Sequence, residues 1–570
     1  MSIVDRLAAA RGEVPADLVL RNASLVNVIS GEIYGSDIVL HDRHVVALGP
    51  GYAGKQELDL GGKFVAPGLI DAHVHIESSL VTPPEFARAV LPHGVTTVIT
   101  DPHEIANVLG LEGMRYMLER AKYGTLNMYV MASSCVPATD METSGARLEA
   151  DDLGQLLGHP WVLGLAELMN YPGVALGDEG MLDKIELFRH LALDGHAPDM
   201  SGRMLNAYVA AGVESEHECT TVEEALEKLR LGLTIFIREG TTTRNLLPLL
   251  PLITKENQGA ICFCSDDRMP ADLLDEGSID HMIRLAIRQG VDPVAAIRMG
   301  SYNSARHFGL KKYGAVAPGK YADLVIVPDL QDFAPEMVFR GGRLVAENGA
   351  MTLARQAPRP INLRGTVNIA SADLDFSIRA ESERVHVIGT VRDQVVTEKR
   401  LEGAKIVAGM AVSDVERDIL KFAMVERHRA SGKIGKAFIQ GFGLKRGAIA
   451  GTVAHDHHNL AVIGVDDESM LTAVRAIIEM GGGLAAVDGE QVLARLPLPV
   501  AGLLSESPIE TVRGQYDSLI AAARGMGSRL SDPFMVMSFM GLEVIPKLKL
   551  TDQGLVDVEQ FRLIELFAQN

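Results

Sequence analysis

The chain has 570 residues, which is too long for one ordinary hydrophobic core, so we expect two or three domains. Hydrophobic residues make up 47% of the chain and 56 residues are glycine, which is typical of a large α/β protein and not of a disordered or fibrous one. The formal net charge of −20 argues against nucleic acid as a partner, because phosphate binding needs clustered Lys and Arg. No apolar stretch approaches the ~18 residues of a membrane span, so none is expected.

The N-terminus and the cysteines bear on the cellular compartment. Residues 1–11 contain Asp5 and Arg6 and no apolar segment, so they predict a short helix and not a signal peptide. The four cysteines are too few and too irregularly placed for a disulfide framework. Both observations favour a protein of the reducing cytoplasm.

Two strand-rich pieces flank a central segment. Apolar and polar residues alternate between residues 17 and 48, and a similar pattern returns between residues 322 and 346. Turn residues separate the short strands that both patterns predict. Because chain ends often lie close together, residues 1–63 and 311–365 are expected to form one composite β-sandwich.

The central segment, residues 64–310, is close to the ~250 residues of a (β/α)8 barrel. Strand and helix patterns alternate through eight rounds, which favours a parallel barrel of the TIM type. The predicted helices include residues 85–91, 104–120, 222–231 and 279–287. The predicted strands end near His75, Asp101, Ser133, Glu167, His196, His217, Glu239 and Asp266.

Residues 366–570 form a third predicted piece, an additional C-terminal α+β domain. Residues 385–391 and 448–453 have strand patterns, and residues 468–480 have a helix pattern. The proline-containing segment 356–360 is the expected linker. The predicted fold class is therefore α/β: a TIM-type barrel, a composite β-sandwich from both flanks, and this extra domain.

His73 and His75 follow a buried apolar strand and are two positions apart. Side chains two apart on a strand point to the same face, so both imidazoles lie side by side at the strand end. Such a pair supplies half of a divalent-metal site, although two histidines near a turn are also common without a metal. The other strand ends decide between these interpretations.

Metal-ligand side chains recur at the carboxyl ends of the predicted strands, where barrel proteins place their catalytic groups. Four histidines and two carboxylates could hold two divalent ions, with Glu167 placed to bridge them. Ordinary interpretations exist as well: His217 could be a surface residue in an acidic turn, and Asp266 could be a helix cap. The candidate ligands are His73, His75, Glu167, His196, His217 and Asp266.

Several motifs resemble a known family. Residues 67–75 (PGLIDAHVH) are similar to a motif of the metal-dependent amidohydrolase superfamily. The prokaryotic adenine deaminases of that superfamily resemble this chain at residues 76–79 (IESS), 86–90 (FARAV), 100–107 (TDPHEIAN), 440–444 (QGFGL) and 454–459 (AHDHHN). The resemblance runs from about residue 16 to the end of the chain.

The resemblance implies hydrolytic deamination of adenine to hypoxanthine and ammonia, a reaction of purine salvage with a small purine base as the substrate. It also implies a binuclear site with two divalent ions per subunit, with Mn²⁺ or Fe²⁺ favoured and Zn²⁺ as an alternative. The barrel with a composite sandwich and an added C-terminal domain is implied as well. Large barrel enzymes often form oligomers, so a homodimer is the default expectation.

Glu167 and Asp266 are the expected catalytic residues. Two adjacent cations lower the pKa of water, which can then attack C6 of adenine. The ring nitrogen N1 and the departing amine need protons, and both carboxylates can touch the activated water and the substrate. Asp266 is expected to take the proton from the water and pass it to the amine, while Glu167 bridges the metals and protonates N1. The division between the two coupled carboxylates stays open.

Two further pairs of residues lie at strand ends of the predicted barrel. Asp101 and His103 could orient a metal ligand or bind an accessory ion, or they could simply start the following helix. Arg238 and Glu239 could hydrogen-bond the purine, or they could form a solvated ion pair. The sequence leaves both alternatives open.

A dense histidine cluster lies far outside the barrel, at residues 455–458. His455 and His457 could reach over the active site as part of a cap that contacts substrate. The alternative is a polar loop between two strands, because loop polarity alone carries little information.

Other functions stay open at this stage. Another deaminase or a deacetylase of the same superfamily, acting on a different small molecule, would use the same barrel. Many relatives bridge their metals with a carboxylated lysine, but residues 161–170 contain none, which disfavours a cyclic amidase. A scaffold protein without chemistry should have lost several ligands, whereas all six are present. The small zinc-dependent deaminases carry a Pro-Cys-x-x-Cys motif that is missing from this chain.

Overall fold

The computed structural model describes residues 2–355, 363–369, 374–391 and 394–568, so the expected linker at 356–360 lies outside the described residues. The chain begins with the short helix expected at the N-terminus, and five strands follow. These elements are α1 (Ile3–Ala10), β1 (Ala16–Asn27), β2 (Glu32–His41), β3 (His44–Leu48), β4 (Gly54–Asp59) and β5 (Phe64–Pro67).

Eight parallel strands come next, and every position of the first three is buried. Complete burial is expected for parallel strands that are covered on both faces. All eight predicted strand ends lie just past the end of an observed strand, which confirms the predicted barrel. The strands are β6 (Leu69–Val74), β7 (Val95–Thr100), β8 (Asn127–Ala132), β9 (Val162–Leu165), β10 (Ala192–Leu193), β11 (Ser215–Glu216), β12 (Thr234–Arg238) and β13 (Ile261–Cys264).

Backbone hydrogen bonds close these strands into a barrel. Strands β6 to β10 pair in sequence, and β11 to β13 form a second run. The amide of Asp266, after β13, donates to the carbonyl of His73 on β6 at 3.0 Å, and the amide of Glu214 donates to the carbonyl of Leu193 at 3.0 Å. Gly164 on β9 allows a close approach, because a Cβ atom there would lie 2.0 Å from the carbonyl oxygen of Ala192.

Helices surround the barrel, and one prediction among them is wrong. The single helix predicted over residues 104–120 is two helices, because Gly110 adopts a φ of 58° that interrupts the helical backbone. The helices are α2 (Pro83–Val90), α3 (His103–Leu109), α4 (Leu111–Tyr123), α5 (Ala150–Gly154), α6 (Tyr171–Leu176), α7 (Glu179–Phe188), α8 (Gly202–Ala210), α9 (Val222–Arg230), α10 (Leu246–Leu249), α11 (Pro270–Asp275), α12 (Ile279–Arg288), α13 (Pro293–Met299) and α14 (Tyr302–His307).

Four strands after the barrel return to the N-terminal sheet: β14 (Leu324–Val327), β15 (Met337–Arg340), β16 (Arg343–Glu347) and β17 (Ala350–Met351). Strand β14 pairs with β5 in antiparallel register, with Val325 opposite Ala66. The result is one nine-stranded sheet built from both flanks. Strand β5, which the sequence analysis assigned to the barrel, pairs in this sheet, and the exact domain limits stay a prediction.

The C-terminal part of the described chain is rich in strands. An eight-stranded sheet has the order β19-β18-β23-β22-β25-β24-β26-β27. The predicted strands at 385–391 and 448–453 and the predicted helix at 468–480 are confirmed. The elements are β18 (Arg384–Thr390), β19 (Thr397–Gly403), β20 (Lys405–Val407), β21 (Met410–Val412), β22 (Ile419–Val425), β23 (Ile434–Gln440), β24 (Ala448–Gly451), β25 (Leu460–Gly464), α15 (Asp467–Met480), β26 (Gly483–Asp488), β27 (Gln491–Pro497), α16 (Ile509–Gly525), α17 (Pro533–Ser538), β28 (Leu548–Thr551), β29 (Gly554–Asp557) and β30 (Arg562–Ile564).

The C-terminal domain packs over the carboxyl end of β8. The hydroxyl of Thr139 donates to Glu543 at 2.6 Å, and the amide of Thr143 donates to Asp552 at 2.8 Å. These contacts place the domain over the carboxyl ends of the barrel strands. None of the described helices is both long and apolar enough to cross a membrane.

Candidate active site

The six predicted metal ligands meet at the carboxyl ends of the barrel strands. Nε2 of His73 lies 3.0 Å from Nε2 of His75. Oε1 of Glu167 is 3.2 Å from the His75 nitrogen and 3.7 Å from that of His73, and Oδ1 of Asp266 lies at the same two distances. Two imidazoles from β6 therefore face one oxygen from each of two carboxylates.

Glu167 is placed between two pairs of histidines. Its Oε1 faces the pair from β6, whereas its Oε2 lies 2.6 Å from Nδ1 of His196 and 3.3 Å from Nε2 of His217. All six side chains are buried. The interpretation of His217 as a surface residue is therefore wrong, and Asp266 is not a helix cap because α11 begins only after Met269. A carboxylate with one oxygen toward each pair has the arrangement of a bridging metal ligand.

The donor set fits divalent metal ions. Nδ1 of His75 lies 3.0 Å from the carbonyl oxygen of Asp101 and donates to it, which leaves Nε2 with a free lone pair toward the cluster. Nδ1 of His196 is the ring nitrogen that faces the cluster, 2.6 Å from Oε2 of Glu167. Clustered, unprotonated imidazole nitrogens beside carboxylates are stabilised by a cation.

Both central carboxylates are held in the ionised form. Burial raises the pKa of Glu167, but contacts with His196, His217 and His75 outweigh it and hold that pKa well below its usual range. Burial likewise opposes ionisation of Asp266, and the neighbouring His75 and Arg238 hold its pKa well below the usual value. Charged carboxylates are the form that binds metal and accepts protons.

Arg238 lies at the end of β12 and joins two carboxylates. Its Nη1 donates to Oδ2 of Asp266 at 2.8 Å, and its guanidinium also binds Glu218 through both terminal nitrogens. The solvated ion pair with Glu239 is not formed, because Arg238 is buried and Glu239 accepts from the amide of Leu246 at 3.0 Å. Glu218 was not among the predicted site residues, although its position directly after His217 was a usable signal.

Asp101 and His103 make contacts that match two of the roles considered for them. Oδ1 of Asp101 accepts from the amide of His103 at 3.1 Å, which is a helix-start contact before α3. Nδ1 of His103 also lies 3.4 Å from Oε1 of Glu167, so its ring adjoins the cluster. The side chain of His103 therefore lies beside the candidate metal ligands, whereas Asp101 orients His75 and His103.

The loop between β24 and β25 carries the C-terminal histidine cluster to the barrel. Nδ1 of His455 lies 3.0 Å from Glu104 on α3, and Oδ1 of Asp456 lies 3.7 Å from Nε2 of His103. The loop is buried, so it is a cap on the barrel as well as a connection between strands. His457 does not reach the cluster, because its Nδ1 accepts from the amide of Asn459 at 3.0 Å.

Glu104 faces His455 and His458 of this loop, and the tautomer of His458 is not that of a metal ligand. Nδ1 of His458 accepts from the amide of Ala454 at 3.2 Å, so the proton of that ring is on Nε2, which faces Glu104 at 3.4 Å. A protonated Nε2 donates and cannot ligate. His458 and His455 therefore stabilise the Glu104 carboxylate where α3 meets the C-terminal domain.

A barrel with this cluster at its strand ends defines a protein of the metal-dependent amidohydrolase class. The model of the "Amidohydrolase family" matches residues 64–345, and the model of the "Adenine deaminase C-terminal domain" matches residues 394–562. The chain belongs to the adenine deaminase family, because curated relatives of that name match it over nearly its whole length.

Two of these relatives illustrate the match, and one solved structure is reported beside them. "Adenine deaminase" of Desulfatibacillum aliphaticivorans is 50% identical over 98% of this chain and 99% of its own length. "Adenine deaminase" of Kosmotoga olearia is 47% identical over 100% of this chain and 99% of its own length. The structure of a beta-aspartyl dipeptidase from Fervidobacterium islandicum AW-1 covers 59% of this chain and 98% of its own, with 18% identity and a TM-score of 0.46.

Proposed function

We propose that this chain is a hydrolase that deaminates adenine to hypoxanthine and ammonia. The observation that carries the proposal is the position of Glu167, with one oxygen toward His73 and His75 and the other toward His196 and His217. The full-length match to relatives named adenine deaminase supports adenine as the substrate.

Two divalent ions are the proposed cofactors. His73, His75 and Asp266 would hold one ion, His196 and His217 the other, and Glu167 both. When bound, such a pair lowers the pKa of water and supplies a nucleophile at neutral pH. Imidazole and carboxylate donors accept Mn²⁺, Fe²⁺ and Zn²⁺, and the family resemblance favours the first two.

The chain's own carboxylates move the protons in the proposed reaction. Attack of water on C6 of adenine releases two protons: one goes to the departing amine and the other to N1. Asp266 takes the first and delivers it to the amine, while its Oδ2 stays hydrogen-bonded to Arg238 at 2.8 Å. Glu167 takes the second proton from the water and passes it to N1, so the C6–N bond breaks as ammonia leaves and the ring keeps one proton, at N1.

The compartment and the assembly belong to the proposal as well. The four cysteines are buried and unpaired, which is consistent with a reducing cytoplasm. A homodimer is proposed on the general tendency of large barrel enzymes to form symmetric oligomers. Because the proposed reaction consumes free adenine and yields another purine base, we assign it to purine salvage.

The test is ammonia release by the purified protein loaded with Mn²⁺ or Fe²⁺. Adenine, adenosine, other aminopurines and acetylated amino sugars are compared, with Asp266→Asn and Glu167→Gln beside the native chain. Release from adenine that both variants lose by at least roughly 10³-fold is expected. Release from another substrate and none from adenine would reject the proposed substrate and retain the metal site.

A further inference from the structure

The cavity beside the ligand cluster has two chemically different sides. Its described lining from the barrel is polar or charged except for Met169, and it includes Glu167 and Asp266. The C-terminal domain contributes His455, Asp456 and an apolar wall on the other side. The apolar wall consists of Val395, Phe539, Leu542 and Ile545.

A purine base matches this division. Its C6 edge must approach Glu167 and Asp266 to react, and the rest of the fused ring then extends toward the C-terminal domain. Ring faces are apolar and are stabilised against aliphatic and aromatic side chains. A ribose on N9 would instead bury hydroxyl groups against a wall whose side chains offer no hydrogen-bond partner.

We infer that Leu542 and Ile545 determine the substrate range of this enzyme: they contact the purine ring and exclude purines that carry a ribose on N9. The inference rests on the proposed function and goes beyond it by assigning base specificity to the C-terminal domain. The barrel supplies the groups that carry out the reaction, and the apolar wall determines which purines bind.

A buried lysine fixes the apolar wall in place. Nζ of Lys549 donates to the carbonyl oxygens of Val395 and Phe539, each at 2.8 Å, and so joins two segments distant in sequence. The ring of Phe539 stacks on His455 with centroids 4.4 Å apart. The amide of His455 also donates to the carbonyl of Ser538 at 2.9 Å. The wall is therefore preorganised relative to the loop that reaches the barrel.

The experiment compares Leu542→Ala and Ile545→Ala with the native chain, all loaded with Mn²⁺. Ammonia release from adenine and from adenosine gives KM and kcat/KM, and calorimetry gives the affinity for hypoxanthine without turnover. Each variant is expected to raise the KM for adenine roughly tenfold and to weaken hypoxanthine binding similarly. The adenosine to adenine ratio of kcat/KM is expected to rise by at least roughly tenfold, because a smaller side chain leaves room for water around the ribose hydroxyl groups.

Leu555→Ala is the matched control, because Leu555 is buried in β29 of the same domain and does not line the cavity. It should keep the native KM and substrate ratio. Ile545 is only half-buried, so its variant decides the question if Leu542→Ala fails to fold. Unchanged KM, ratio and hypoxanthine affinity in a folded variant would overturn the inference. A native chain that releases no ammonia from adenine would reject the proposed function instead.

Discussion

Arg238 positions a carboxylate of the proposed catalytic pair without being part of that pair. It binds Oδ2 of Asp266 at 2.8 Å and is itself held by Glu218, so Oδ1 of Asp266 is turned toward the histidines of β6. The side chains of Arg238, Asp266 and Glu218 are largely buried, so direct contacts and not water set their geometry. The orientation of the proposed proton carrier therefore depends on this arginine.

Replacement of Arg238 by Met should lower kcat by roughly 10²-fold, because Asp266 loses the contact that orients it and a small misplacement is costly. Steady-state ammonia release from adenine measures the effect, with bound metal determined on the same samples. Arg238→Lys is the matched variant: it keeps the charge but not the forked geometry, so partial recovery is expected. Equal activity of all three proteins would contradict the positioning role.

Glu104 provides a prediction about pH. Burial opposes protonation of His455, but the Glu104 carboxylate 3.0 Å away outweighs it and raises the pKa of His455 to about 9. The unfolded histidine has a pKa near 6.5. The ion pair therefore stabilises the fold fully below about pH 6.5, and this contribution is lost as the pH rises through about 9.

Glu104→Gln should accordingly destabilise the protein by on the order of 3 kcal/mol at pH 6 and by much less at pH 10. Unfolding midpoints across this range measure the difference between variant and native chain. The comparison with the native chain is needed because burial lowers the pKa of Lys549 to about 7, so this lysine titrates in the same pH range. Glu112→Gln on the exposed face of α4 is the control. A destabilisation independent of pH would refute the ion pair.

At the scale of single elements, the start of β28 connects packing with substrate binding. Lys549 lies there with its amine fully buried, and its hydrogen bonds reach the segments before β19 and after α17. Both segments belong to the apolar wall. One side chain therefore holds two parts of the cavity that are 144 residues apart in the sequence.

Lys549→Met should lower the free energy of unfolding by about 1–3 kcal/mol, because two buried carbonyl groups lose their donor. The KM for adenine should rise while kcat changes little, since the ligand cluster is untouched. Denaturant unfolding and steady-state kinetics measure the two effects. Lys547→Met on the exposed side of the same segment should change neither. A change in kcat alone would show that Lys549 acts on the chemistry and not on the wall.

Local sequence patterns predicted the elements better than the contacts between them. Strand ends could be located because each apolar run stops at a polar residue such as Asp101 or Glu167. The break at Gly110 was missed because apolar residues continue on both sides of it. Lys549 and Leu542 carried no local signal, because their roles come from contacts with distant segments. Such contacts depend on the packing of whole domains, which periodicity does not encode.

At the scale of the whole molecule, the active site is shared between two domains. The barrel gives the charged groups, and the C-terminal domain gives the apolar wall and the loop that carries His455 and Asp456. Direct hydrogen bonds such as Thr143 to Asp552 join the domains beside the cavity. Because the two domains enclose the cluster of buried charges, water is kept from it and the substrate is confined. Loss of the metal ions leaves these charges without compensation, so stability and activity should decrease together.

Chelation of the metal ions should abolish ammonia release and lower the temperature of unfolding, because six buried donor groups lose the cations that offset their desolvation. Activity should return in proportion to added Mn²⁺ or Fe²⁺ and reach its maximum at two equivalents per chain, as measured by kinetics and elemental analysis. His196→Ala should retain less metal, whereas His190→Ala at an exposed position should bind the full complement. Full recovery with one equivalent would contradict the bridging role of Glu167, since a single ion needs no carboxylate shared between two histidine pairs.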